Sequence, residues 1–230
     1  MKLAEPTQVT LRNAKLYRVI PSQFPPINIF ERVVEPHQLE AAWYLESLTN
    51  DRLRDAAGDI HLVDPEDRVT GRGSSVVMAA FTHIGKPSRF TDGSYGVYYA
   101  ARSLETAVRE TAFHRARFLA ATNEPPGEID MRTYIGRAHK PLLDLRTPRF
   151  KPLHDPDNYA ASQQYAAERR KQGDWGLLYN SVRHEGGLCV AALRPPAVSI
   201  PMQGPALAYV WDGKRINKVY EKSEVLFEIE

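Results

Sequence analysis

The chain has 230 residues, 43% hydrophobic and 25% charged, with 30 basic against 28 acidic side chains and a net charge of +2. That length can bury a full core in one domain, and the near balance of charge argues against a dedicated nucleic-acid binder, which concentrates positive charge on one face. The lone cysteine, Cys189, excludes an intrachain disulfide and a cysteine-built zinc site.

No apolar core of signal-peptide length follows Met1, and no run approaches the ~20 apolar residues of a membrane span. A soluble, cytoplasmic protein without membrane contact is expected. Residues 1–15 read as a loosely held arm. The alternation over 15–20 predicts a strand that sets Arg18 beside apolar neighbours, and Pro21, Pro25 and Pro26 turn 21–29 into an irregular loop. A helical pattern follows over 36–57, with Leu39, Ala42, Trp43, Leu45 and Leu48 on its apolar side. Residues 64–73 are polar and loop-like, 76–81 form a short apolar run, and 85–88 are turn-prone.

The next stretch, 88–114, organises the rest. Thr91-Asp92-Gly93-Ser94 is a turn cluster, because Gly tolerates positive φ while Asp and Ser bond their own backbone. The apolar, aromatic-rich run 97–101 predicts a buried strand, in which Tyr98 and Tyr99 point to opposite faces. Ser103 then caps a helix carrying Leu104, Ala107, Val108 and Ala112 on one side. Arg89, Tyr99 and Glu110 can converge here. A guanidinium, an aromatic face and a carboxylate suit an anionic ligand that also carries a cationic ring.

Beyond it, 122–127 break the chain, 132–136 and 141–145 predict strands, and 159–172 predict a helix stopped by Gly173. Residues 177–181 lead to Gly186-Gly187, and 188–193 predict a buried strand around Cys189, an inert core thiol. The end, 206–211 and 214–221 about Asp212-Gly213, predicts a hairpin. No repeat or dividing linker is visible, so 1–230 reads as a single domain. Strands and helices mix without a βαβ rhythm, which predicts an α+β fold with a mixed central sheet and flanking helices. The chain has no phosphate-binding P-loop, no dinucleotide glycine fingerprint and no serine elbow, and its seven histidines lack metal-ligand spacing, so no metal is expected.

Several short segments, in order, resemble the RES-domain family, toxins paired with Xre-like DNA-binding antitoxins. Tyr17-Arg18-Val19 matches its aromatic-Arg-hydrophobic opening, and Ser88-Arg89-Phe90 its Gly-Arg-Trp. Val97-Tyr98-Tyr99-Ala100-Ala101 and Thr106-Ala107-Val108-Arg109-Glu110 match the strand and helix that carry a tyrosine and a glutamate, and Tyr179-Asn180-Ser181-Val182-Arg183 a later serine segment. Tyr99 lies ten residues after Arg89 and Glu110 eleven after Tyr99, the family spacing. Phe90 and Thr91 depart from the family's Trp and Asn, and the segment between Arg18 and Arg89 is longer than in compact members.

The resemblance implies an ADP-ribosyltransferase-like fold and a type II toxin that consumes NAD⁺ as substrate. Arg18 and Arg89 would bind pyrophosphate, Tyr99 would stack on nicotinamide, Glu110 would stabilise the ribosyl cation, and Ser181 would orient it. Transfer of ADP-ribose to a cellular protein is favoured slightly over glycohydrolysis or phosphorolysis. Nucleic acid would be met only through the antitoxin. A nucleic-acid-targeting toxin and a non-catalytic binding module are the rival readings. Taken singly, Glu110 with His114 also fits a surface pair, and Ser181 a turn or a cap.

Overall fold

The computed structural model describes residues 5–22 and 58–222, with positions 35, 38 and 41. Nearly all of the helical pattern over 36–57 and of the loop over 21–29 lies outside the described residues. Nine strands form one sheet: β1 (Gln8–Val9), β2 (Lys15–Pro21), β3 (Tyr98–Ala101), β4 (Gly127–Arg137), β5 (Leu142–Asp144), β6 (Gly176–Asn180), β7 (Leu188–Ala192), β8 (Met202–Trp211) and β9 (Ile216–Glu221). Three described helices flank it: α1 (Ser75–Thr82), α2 (Leu104–Ala121) and α3 (Ala160–Lys171). This is a mixed α+β fold, as the pattern predicts.

The strand order is β1-β5-β6-β7-β3-β2-β4-β8-β9, antiparallel throughout except for the parallel β5–β6 pair. Most ladders are long. β2 pairs β4 over seven positions from Lys15 to Pro21, and β3 pairs β7 over its full length. The seam between β2 and β3 is different, because it holds at a single pair, Tyr17↔Ala101. The sheet is thus two half-sheets joined by a single ladder pair, with no β2–β3 ladder beyond it. Arg18 follows that pair, and its Nη1 donates to the Tyr99 carbonyl at 3.0 Å where the backbone ladder has stopped.

Strand alternation divides the core in two. Leu16, Tyr98, Ala100, Leu178, Val190 and Ala192 face α1, whose Val77, Met78 and Phe81 are buried against them. Val19, Ala101, Met131, Tyr179, Cys189 and Ala191 face the other way, towards Ala107 and Val108 of α2 and Tyr165 and Ala166 of α3. Burying each large apolar side chain contributes about 1.5–3 kcal/mol. The short run 76–81 is therefore helical, with Val77 and Met78 fully enclosed.

Residues 5–15 are not a loose arm. Val9 packs on the α1-side core, β1 pairs β5, and Asp144 N–H donates to Thr7 O at 2.8 Å. The apolar Val9 and Leu11 carry that docking, a signal too sparse to read as a strand. The predicted C-terminal hairpin forms as β8–β9: Asp212 accepts the N–H groups of Lys214 and Arg215 at 2.8 Å, and Gly213 takes φ +93°. Trp211 Nε1 donates to Glu124 O at 3.0 Å, tying the strand end to the break after α2.

Candidate active site

Ser103 caps α2 as predicted, its Oγ accepting Thr106 N–H at 3.2 Å. Two turns further on the same helix, Glu110 points to the end of β6, where Ser181 follows the strand. Ser181 Oγ donates to Glu110 Oε1 at 2.5 Å while accepting Arg183 N–H at 3.1 Å and His184 N–H at 3.0 Å. Those two accepted bonds occupy the oxygen lone pairs, so the hydroxyl proton is committed to the carboxylate. Cys189 Sγ lies 3.9 Å from the same oxygen. Burial, and then the charge of Glu110, push its thiol well above the ordinary range, so it stays protonated.

Arg89 is brought to this group by a braced turn. Thr91 Oγ1 donates to Tyr95 O at 2.7 Å and accepts Gly93 N–H at 3.0 Å, and Gly93 takes φ +101°. Ser162 Oγ of α3 donates to Arg89 O at 2.6 Å, and Gln163 Nε2 reaches Ser88 O and Thr91 O. Asp92 is not a partner of Arg89 but folds back on Ser94. Arg89 is 7% exposed, and its guanidinium lies 4.6 Å from the Tyr159 ring centre. Its Nη1 donates to Leu153 O at 3.2 Å and Asp155 O at 2.9 Å, while Nη2 is buried without a partner. An unpaired buried guanidinium nitrogen is costly, and an anionic ligand would satisfy it.

Arg89 and Glu110 act on the same neighbours. Both charges bear on Tyr179, Cys189 and His114. Ser181 and Glu110 are thus in direct contact, and Arg89 lies near enough for its charge to act on the same residues as Glu110. Tyr99 joins them as a brace: its hydroxyl accepts Phe90 N–H at 3.0 Å and shares a 2.7 Å hydrogen bond with Ser88 Oγ. The hydroxyl is thus engaged within the fold, and its ionisation is opposed chiefly by burial. Phe90 is fully buried, edge-on to Tyr179 at 4.9 Å, so this departure from the family motif falls in packing.

Arg18 does not join the cluster. Alternation along β2 sends it to the α1 side, where its guanidinium lies 4.4 Å from the Tyr98 ring centre and its Nε is buried without a partner. Burial pulls its pKa down, partly offset by Tyr98 and Tyr134. A guanidinium that was not singled out in the sequence is that of Arg183, whose backbone N–H bonds Ser181 Oγ. It lies 3.4 Å from the Phe113 ring centre, donates to Pro156 O at 2.5 Å, and its charge bears on His114. Its place two residues after Ser181 was the available signal. A hollow of about 300 Å³ is lined by Ser181 with Arg146, Lys151, His154 and Asn180.

Residues 65–212, well over half of the chain, match the model of the RES domain. The chain belongs to the RES-domain family. This RES-domain protein is 28% identical over 207 residues to the uncharacterized protein y4oC of Sinorhizobium fredii, covering 90% of this chain and 86% of that protein. The crystal structure of the M. tuberculosis MbcT–MbcA toxin–antitoxin complex contains a chain similar to this one at a TM-score of 0.37 and 17% identity, over 55% of this chain and 72% of that one. Among the described residues of the RES-domain protein, no group of three or more His, Cys, Asp or Glu could hold a metal ion, and no helix is long and apolar enough to cross a membrane.

Proposed function

We propose that this protein is an NAD⁺-consuming toxin of a bacterial toxin–antitoxin pair, with an ADP-ribosyltransferase-like fold and an Xre-like antitoxin as its partner. The observation that carries the reading is the Ser181 hydroxyl committed to Glu110 beside a buried Arg89 with a free Nη2. One acid is fixed in direction and one positive donor awaits an anion.

In this reading Arg89 holds pyrophosphate oxygens, with Arg183 as the second positive charge on the Glu110 side. The Tyr99 face stacks on the cationic nicotinamide ring, an attraction of about 0.5–2 kcal/mol. The bond between ribose C1′ and the nicotinamide nitrogen breaks, and its electron pair leaves with nicotinamide, which becomes neutral. Positive charge develops on the ribose, and the Glu110 oxygen not held by Ser181 faces it. At about 4 Å and an effective dielectric near 20, that attraction is worth about 4 kcal/mol, which approaches a thousandfold in rate where it arises only in the transition state. The acceptor then bonds to C1′ and loses a proton. Arg18 acts as a clamp across the seam between the half-sheets.

A protein acceptor remains our slight preference, since the chain adds surface outside the matched family segment. The test is incubation of purified protein with NAD⁺, with and without cell lysate, following nicotinamide and the fate of ADP-ribose by mass spectrometry. One labelled protein supports transfer. Free ADP-ribose or its phosphate alone assigns the acceptor to water or phosphate, and no nicotinamide release overturns the reading.

A further inference from the structure

His184 touches both elements that meet at the Ser181–Glu110 bond. Its backbone N–H is one of the two that Ser181 Oγ accepts. Its ring Nδ1 lies 2.9 Å from Thr106 Oγ1, in the first turn of α2, and its Nε2 is 3.5 Å from Glu105. Thr106 is 1% exposed, and its hydroxyl is also 2.8 Å from the capping Ser103 Oγ. The turn from 181 to 187 is closed by Ser181 N–H on Gly187 O at 2.8 Å and Gly187 N–H on His184 O at 3.0 Å. Gly187 is pressed against the same contact: a Cβ there would come within 2.8 Å of Thr106 Oγ1 and 3.0 Å of His184 Nδ1.

We propose that His184 is a positioning residue for Glu110, latching the 181–187 turn to the start of α2 so that the Ser181 hydroxyl has only Glu110 to donate to. The proposal rests on the reading of Glu110 as the acid beside the ribosyl cation. The physical link is short. Ser181 Oγ is saturated only while Arg183 N–H and His184 N–H both point at it, and those amides keep their direction only while the turn is pinned. Released, the serine rotor can donate to water, and Glu110 loses the bond that fixes its rotamer. His184 is 23% exposed in its side chain and pairs with an exposed acid, so bulk core packing is a minor part of its role.

Amide hydrogen exchange and steady-state nicotinamide release, measured on the full chain, test this together. In His184→Ala the amides of Arg183 and His184 should exchange at least about tenfold faster, and kcat should fall about tenfold with KM for NAD⁺ within about twofold, the loss of one positioned hydrogen bond. Thr106→Val, which leaves His184 in place but removes its partner, should accelerate the same two amides. His184→Asn, whose side-chain amide can reach Thr106, should recover most of the loss. In a Ser181→Ala background His184→Ala should cost nothing more, because both act through one bond. Unchanged local exchange in Thr106→Val, or an equal tenfold loss of kcat on the Ser181→Ala background, would overturn the latch. If the wild-type protein releases no nicotinamide, the NAD⁺ reading fails, and the exchange measurements still decide the latch.

Discussion

At the scale of single residues, the site is set by which polar atoms are satisfied and which are not. Arg89 spends Nη1 on two carbonyls and keeps Nη2 buried and free. Arg89→Met should therefore raise KM for NAD⁺ about 10–100-fold, since a hydrogen bond to a charged group is worth about 1.5–3 kcal/mol. An unchanged KM in steady-state assays would count against pyrophosphate binding there. The sequence made Arg89, Glu110 and Ser181 legible through ordered spacing. It could not reveal that Arg18 turns away, because a strand residue changes face with every step and the β2–β3 ladder stops after one pair. Arg183 was marked only by its place two residues after Ser181, since nothing else local tells a stacked arginine from a solvated one.

At the scale of elements, the Arg89 turn is held from behind by β3. Tyr99→Phe keeps the ring but leaves the buried Phe90 N–H without its acceptor, which should cost about 1–3 kcal/mol in denaturant unfolding. A neutral effect would mean that the turn is braced by α3 alone. The segment before Ser181 depends on His154, whose Nδ1 bonds Phe150 O at 2.9 Å and whose Nε2 accepts Asn180 N–H at 3.2 Å. The ring is therefore neutral in the fold. Burial, and then the charge of Arg89, hold its pKa below the ordinary imidazole value against the Phe150 bond. A lowered folded pKa means that the unfolded chain binds the proton more readily, so stability is full above about pH 6.5 and falls as pH drops through the folded value. Unfolding free energy measured from pH 7.5 to 5 should decline, and His154→Gln should flatten the slope. An identical slope in the variant would assign the decline to other groups. The Ser103 cap, the Gly173 stop and the Asp212-Gly213 hairpin were all readable because each depends on a few adjacent residues. The docking of β1 was not, because it needs a partner strand more than 130 residues away.

At the scale of the whole molecule, two half-sheets share the single ladder pair Tyr17↔Ala101, beside which Arg18 bonds the Tyr99 carbonyl. Each half has its own ladders, so a ligand that contacts both should stiffen the seam. In the Glu110→Gln variant, where turnover is suppressed, NAD⁺ at 100 times its Kd should add about 2.7 kcal/mol of stability. It should also slow amide exchange at Tyr17 and Ala101. Stabilisation without that local slowing would place the ligand elsewhere. The α+β class was legible from the mixture of periods along the chain. The one-pair seam was not, because it is a long-range pairing that stops early, and no local pattern marks where a ladder ends.

The central claim is that Glu110, fixed by Ser181, stabilises charge on a ribose. The most direct measurement is the rate of nicotinamide release from NAD⁺ by the purified wild-type protein and by Glu110→Gln, with circular dichroism confirming that the variant is folded. The account predicts measurable release by the wild type and a drop of about a thousandfold in kcat for the variant, with KM little changed. Equal rates in the two proteins would contradict it.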